Sequence, residues 1–143
     1  FEVSPFLKVE LDEMAMVSDG VITARVKVNR GVSKEDFKSL VSKSGNYDDS
    51  YLNMTDIQLF VSQSSSCGYR ARDERWSNEI KYTGKEFETM FGKTITITSN
   101  PKNPIPSGRK VFIRAAARIN YDTPAGSGTK RWNYSETVEV DIP

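Results

Sequence analysis

At 143 residues the chain is one domain's worth of polypeptide, long enough to bury roughly 68–70% of its unfolded surface. Its 20 basic and 19 acidic residues are interspersed and leave a net charge of +1, which argues against a basic footprint for nucleic acid and against an acidic tail. There is no histidine and only one cysteine, Cys67, so the commonest general base and metal ligand is missing and an internal disulfide or thiolate zinc site is excluded.

No apolar run approaches a membrane span. The chain opens in mid-pattern at Phe1 and reads as a mature or truncated piece of something longer. Residues Phe6–Met14 alternate, with Leu7, Val9 and Leu11 against Lys8, Glu10 and Asp12. After Ser18-Asp19-Gly20, the run Val21–Val28 alternates again. Two such runs around Asp-Gly predict a β-hairpin with one buried and one wet face. Ser33 before Lys34-Glu35-Asp36 reads as an N-cap with acid in the first turn. Phe37, Leu40 and Val41 follow at helical spacing and predict a short helix near Lys34–Lys43, ending in the polar loop Ser44–Ser50.

Ile57–Ser62 restores a strand, with Ile57, Leu59 and Val61 on one side. The Arg-rich stretch Ser64–Arg75 is expected to be exposed, and Glu79–Tyr82 to form a short edge strand. Thr83-Gly84-Lys85-Glu86 has the form of a capping box before Phe87, Met90 and Phe91, with Gly92 at the expected helix end. Thr94–Thr98 alternates, and the three prolines of Asn100–Gly108 mark a loop.

Val111–Ile119 is the clearest strand, with Val111, Ile113, Ala115, Ala117 and Ile119 on its core face. The small Ala115 and Ala117 imply close approach of the two sheets there. Across the loop Asn120–Lys130 its expected hairpin partner is Trp132–Ile142, where Val138, Val140 and Ile142 share parity with Tyr134 and Trp132. That parity predicts Tyr134 on the core side. The sum is an all-β, antiparallel sandwich of immunoglobulin or fibronectin-III type, with about seven strands and one or two short helical inserts. A single domain over 1–143 is expected, with 1–5 as a linker from an upstream region.

Catalysis is hard to assemble from these residues. Asp12-Glu13, Glu35-Asp36 and Asp48-Asp49 read as solvated pairs in loops or at a helix start. Ser64-Ser65-Ser66-Cys67 offers hydroxyls and a thiol but has no histidine to activate them. Tyr47-Asp48-Asp49-Ser50 could offer oxygens to calcium, but it lacks EF-hand spacing. The expectation is therefore a non-enzyme with no catalytic residues, no metal and no cofactor. Arg70, Arg72 and Arg75 beside Tyr69 and Trp76 read either as a weak anion site or as a solvated loop with one anchoring aromatic.

Four stretches carry a resemblance: Val3-Ser4-Pro5-Phe6-Leu7-Lys8-Val9, Met54–Ser62, Val111–Arg118 and Arg131-Trp132-Asn133-Tyr134-Ser135-Glu136. Together they resemble the C-terminal immunoglobulin-like domain of SusD-associated outer-membrane lipoproteins of Bacteroides-type bacteria. That resemblance implies a non-catalytic module at the cell outer membrane, held there by a lipid anchor outside this chain. It would assist glycan capture or the assembly of a SusC/SusD-like uptake complex. The alternative is a structural spacer or adhesin-type domain that touches protein and no sugar. A monomer without nucleic-acid partners is expected. The candidate ligand-binding residues are Trp132 and Tyr121 as a glycan platform, extended by Trp76, with Asn120, Asp122 and Lys130 supplying hydrogen bonds. The competing reading has Trp132 plugging the end of the sandwich.

Overall fold

The computed structural model describes residues 7–12, 14–43, 47–68, 71–81, 91–120 and 132–143. The expected sites Tyr121, Asp122 and Lys130 lie outside the described residues, as do Tyr69, Arg70 and nearly all of the predicted second helical insert. The strands are β1 (Leu7–Leu11), β2 (Met16–Ser18), β3 (Val21–Arg30), β4 (Met54–Ser62), β5 (Asn78–Lys81), β6 (Thr94–Thr98), β7 (Lys110–Ile119) and β8 (Asn133–Asp141). The helix α1 spans Lys34–Ser42, and a 3-10 turn covers Asp49–Leu52.

Every strand pairing is antiparallel. In the first sheet β3 is central, flanked by β1 and β2 along one edge and by β6 along the other. The second sheet runs β5-β4-β7-β8. β1 lies against β7 and β8, and β6 against β5, so the sheets face each other as an immunoglobulin-like sandwich.

β1 and β2 are two parts of one interrupted edge strand. Five steps from Leu11 to Met16 face only three from Val26 to Thr23 on β3. Beside this interruption Met14 is 81% and Met16 65% exposed. The Asp-Gly hairpin forms as expected. Asp19 (φ 50°) and Gly20 (φ 78°) both take positive φ, the requirement of the two-residue turn that matches strand twist. Gly20 also meets the proline loop, since a Cβ there would lie 2.6 Å from the Ile105 carbonyl oxygen. Ser33 caps α1 by accepting the Asp36 N–H at 3.1 Å. Phe37 and Val41 are buried, whereas Leu40 is 51% exposed. The helix therefore touches the sandwich along a stripe narrower than its apolar spacing suggests.

The main core holds the expected series: Ile57, Leu59 and Val61 from β4; Val111, Ile113, Ala115, Ala117 and Ile119 from β7; Ile22, Ala24, Val26 and Val28 from β3. The pairing of β7 with β8 is also as expected, with Val111 opposite Val140 and Ile113 opposite Val138.

The parity of β8 is not. Between Arg114↔Thr137 and Ala116↔Tyr134 the register shifts by one, so Ser135 and Glu136 together face Ala115. This is a β-bulge, and it reverses every side chain before it. Asn133 and Ser135 point inward and are buried, while Tyr134 is 36% exposed on the opposite face. The expectation that Tyr134 faces the core is thereby corrected. The bulge leaves two backbone groups without ladder partners, and side chains take both. Ser135 Oγ accepts the Ala115 N–H at 3.0 Å, and Arg114 Nε donates to the Ser135 carbonyl at 2.7 Å. Asn133 then bridges the sheets, accepting from Leu7 N at 3.4 Å and donating to the Ala117 carbonyl at 3.3 Å.

Candidate functional site

The bulge makes the outer face of the second sheet unusual. Inward residues of β4 and β7 are aliphatic, so their outward neighbours are Asp56, Gln58, Phe60 and Ser62 on β4 and Phe112, Arg114, Ala116 and Arg118 on β7. By the reversed parity, β8 adds Tyr134 to this face, and Trp132 stands just before the strand. The Trp132 and Tyr134 rings both pack on Phe60, with centroids 5.5 Å and 6.2 Å away. Phe60, Cys67 and Ala116 form a small second core under them, with Phe112 and Trp132 packed against it.

Each of the two rings carries a guanidinium. Arg118 lies 4.0 Å from the Trp132 ring centroid and Arg114 lies 4.3 Å from that of Tyr134, within the range of favourable cation–π contact. The two cations are held differently. Arg118 Nε donates to Asp56 Oδ1 at 2.8 Å. Asp56 is only 3% exposed and is tied further by Thr55 Oγ1 at 2.6 Å and Gln58 Nε2 at 2.8 Å. Among the described residues Arg114 donates to carbonyls alone, those of Ser135 and of Cys67, the latter at 3.3 Å.

The segment after β4 folds back over this face. Ser62 Oγ donates to the Ala71 carbonyl at 2.7 Å, and a methyl group at Gly68 would touch the Tyr134 ring at 3.7 Å. The Cys67 thiol reaches the Phe60 carbonyl at 3.4 Å and the Phe112 carbonyl at 3.5 Å. Burial pushes its pKa up from 9.0 to about 11, against the opposing pull of Arg114. It is therefore a neutral packing group at pH 7 and a poor nucleophile. Cys67 is wholly buried within a stretch expected to be exposed.

Trp132 is half-buried on the outer face, and Asn120 is half-buried one position beyond β7. Trp76 does not join them. It is 3% exposed and belongs to the main core, with Arg75 and Arg109 stacked 4.6 Å and 5.8 Å from its ring centroid. Its expected role in extending the platform is corrected to that of an anchor: with its ring sealed in the core, it has no face to offer a sugar. Tyr134 and Arg114 were missed because unbroken alternation placed Tyr134 inside. The signal was present in Glu136, which the same alternation would bury between Tyr134 and Val138. An unpaired buried carboxylate is costly, and a one-residue shift removes it.

A hollow of about 340 Å³ also lies on the first sheet, lined by Glu10, Asp12, Arg25, Lys27 and Thr94 with Leu11 and Val26. It offers no aromatic face. Among the described residues, no three His, Cys, Asp or Glu side chains converge as metal ligands.

The molecule is thus an immunoglobulin-like sandwich with an aromatic–arginine face on its second sheet. No family model and no curated protein matches the chain. Among solved structures it is similar to a DUF3823 family protein from Bacteroides uniformis, with 63% identity and a TM-score of 0.94, over all of this chain and 58% of that one. A Bacteroides uniformis protein described as a candidate carbohydrate-binding protein aligns at 15% identity and a TM-score of 0.62, over 99% of this chain and 60% of that one. A DUF3823 family protein from Bacteroides ovatus aligns at 14% identity and a TM-score of 0.59, over 98% and 57% of the two chains. At such low identity these last two show the shared fold alone. The chain spans about three-fifths of the length of each of these structures. It is a Bacteroides-type domain whose structural neighbours include DUF3823 family proteins.

Proposed function

We propose that this domain belongs to the DUF3823 family and serves as a non-catalytic, cell-surface module of a glycan-uptake lipoprotein, binding glycan on the outer face of its second sheet. The observation that carries the reading is the Trp132–Tyr134 pair, turned outward by the bulge and braced on Phe60. Sugars bind by laying apolar C–H faces on such rings while polar neighbours take the hydroxyls, and Gln58, Glu79 and Asn120 are polar groups on or beside this face. A solved neighbour that shares the fold is described as a candidate carbohydrate binder. In this proposal the protein reaches the outer membrane through a lipid anchor outside the chain, and it performs no chemistry on the glycan.

A second reading, protein contact without sugar, draws on Met14 and Met16, which are exposed along the interrupted edge strand, because apolar side chains on a sheet edge suit strand-to-strand docking. A glycan array followed by calorimetric titration separates the two. The expected result is binding by the wild-type chain and a loss of about tenfold or more in the folded variants Trp132→Ala and Tyr134→Ala. Unchanged affinity in both variants would remove the outer face from consideration, and an array with no binder would favour the protein-contact reading.

A further inference from the structure

The two arginine–aromatic pairs are built alike and neutralised differently. Arg118 has the buried carboxylate of Asp56 at 2.8 Å. Arg114 has no carboxylate partner among the described residues, and its two hydrogen-bond acceptors are neutral backbone carbonyls. Glu139 is engaged by Lys110 at 2.8 Å, and Glu79 by Gln58 at 2.9 Å and Lys81 at 3.5 Å. The thiol of Cys67, the residue whose carbonyl Arg114 also reaches, is kept protonated at neutral pH by burial.

A guanidinium offers five N–H donors, and Arg114 spends two of them, one from Nε and one from a terminal nitrogen. The three that remain belong to its terminal nitrogens. The guanidinium is fixed at Nε by the bulge carbonyl, at one terminal nitrogen by the Cys67 carbonyl, and against the Tyr134 ring, so little rotamer entropy is left to lose on binding. The partly buried setting also strengthens its attraction for an incoming anion relative to open water.

We propose that Arg114 is a specificity residue for an anionic sugar, its terminal N–H groups pairing with a carboxylate or sulfate ester while the pyranose packs beside the Tyr134 and Trp132 rings. The planar fork suits both anions, since each presents two oxygens side by side. The proposal rests on the glycan-binding reading of this face. It goes beyond it by naming the charge of the ligand.

The test begins with the wild-type chain. Calorimetric titration compares an oligogalacturonate, the same oligosaccharide with its carboxyls methyl-esterified, a sulfated carrageenan oligosaccharide that carries no carboxylate, and a neutral xylo-oligosaccharide. The acid form, the sulfated form or both should bind more tightly than the methyl ester and the neutral sugar by about tenfold to a hundredfold, the worth of one charge-assisted contact. The advantage should shrink as salt rises. Which anion binds identifies carboxylate or sulfate as the source.

In the Arg114→Gln variant, checked for folding by its thermal melt, the preference should vanish while neutral binding persists. Arg114→Lys should retain part of it. Equal affinity for the acid and its methyl ester overturns the proposal, as does an undiminished preference in folded Arg114→Gln. If neutral sugars bind and Trp132→Ala abolishes that binding, the glycan reading survives without the charge preference. If none of the four probes binds, both fall.

Discussion

On the inner face of the second sheet, β4 and β7 carry Ile57, Leu59, Val61, Val111, Ile113, Ala115 and Ala117, each 0% exposed. On the outer face the same two strands carry Asp56, Gln58, Phe60, Phe112, Arg114 and Arg118. One backbone supports both faces because alternate side chains leave a strand on opposite sides. The inner face needs only volume and shape, and it supplies most of the stability. That reserve lets the outer face hold two cations against aromatic rings and leave one of them without an anion among the described residues. Substitutions should therefore separate the faces. Inner changes should act on stability, and outer changes on binding.

The largest expected effect comes from opening the inner face. Ile113 is fully buried opposite Val61 and Val138. Ile113→Ala should cost about 2–5 kcal/mol, the lost transfer energy plus the cavity. Urea unfolding measures it, and a cost below about 1 kcal/mol would mean that the sheets close over the gap and that the inner face is not the rigid support described.

A smaller effect is expected from overfilling it. Ala115 lies where β7 faces the bulge of β8, and its N–H relies on the Ser135 hydroxyl. Ala115→Leu should cost about 1–3 kcal/mol by forcing the sheets apart. Because the same bulge orients Arg114, this variant should also loosen the outer face. A melt like the wild type's would sink the claim of close approach at this point.

The comparison also shows what could be read from the sequence. The strands, the capped helix and the hairpin were legible because their signals are local: alternation, a serine N-cap, an Asp-Gly turn. The inner face followed from parity alone. The outer site was only half legible. Trp132 stood out as a large aromatic at a strand end, but its partners Arg118 and Phe60 are 14 and 72 positions away, brought to it by pairing register. The bulge reversed Tyr134 relative to Val138, and a count of alternating residues carries straight through such a shift. Only the misplaced charge of Glu136 betrayed it. Trp76 stood between two readings, a platform residue and an aromatic anchor in an arginine-rich loop, and its ring is the anchor in the main core. Nothing in local composition distinguishes the two.

The smallest expected effect marks the boundary between the faces. Cys67 lies on the outer side, yet it is as dry as the inner core. Its pKa rises from 9.0 to about 11 through burial. Below pH 9 the thiol is neutral whether the chain is folded or unfolded, and the folded state carries no penalty. Above pH 9 the unfolded chain releases the proton while the folded chain keeps it, so stability falls as pH climbs toward 11. Between pH 8 and pH 10 this one group should remove about 1 kcal/mol. Lys110 also responds to alkali, its pKa raised because Glu139 holds its ammonium. The informative quantity is therefore the difference in slope between wild type and Cys67→Ala, measured by urea unfolding at each pH. The wild type should lose stability faster with rising pH, and its thiol should resist alkylation at pH 8 until the protein is unfolded. Parallel slopes together with fast alkylation would mean that the segment over Phe60 stands open. The Cys67 carbonyl would then no longer help to hold Arg114 in place, and the outer face would lose the rigidity on which its proposed preference for anionic sugars depends.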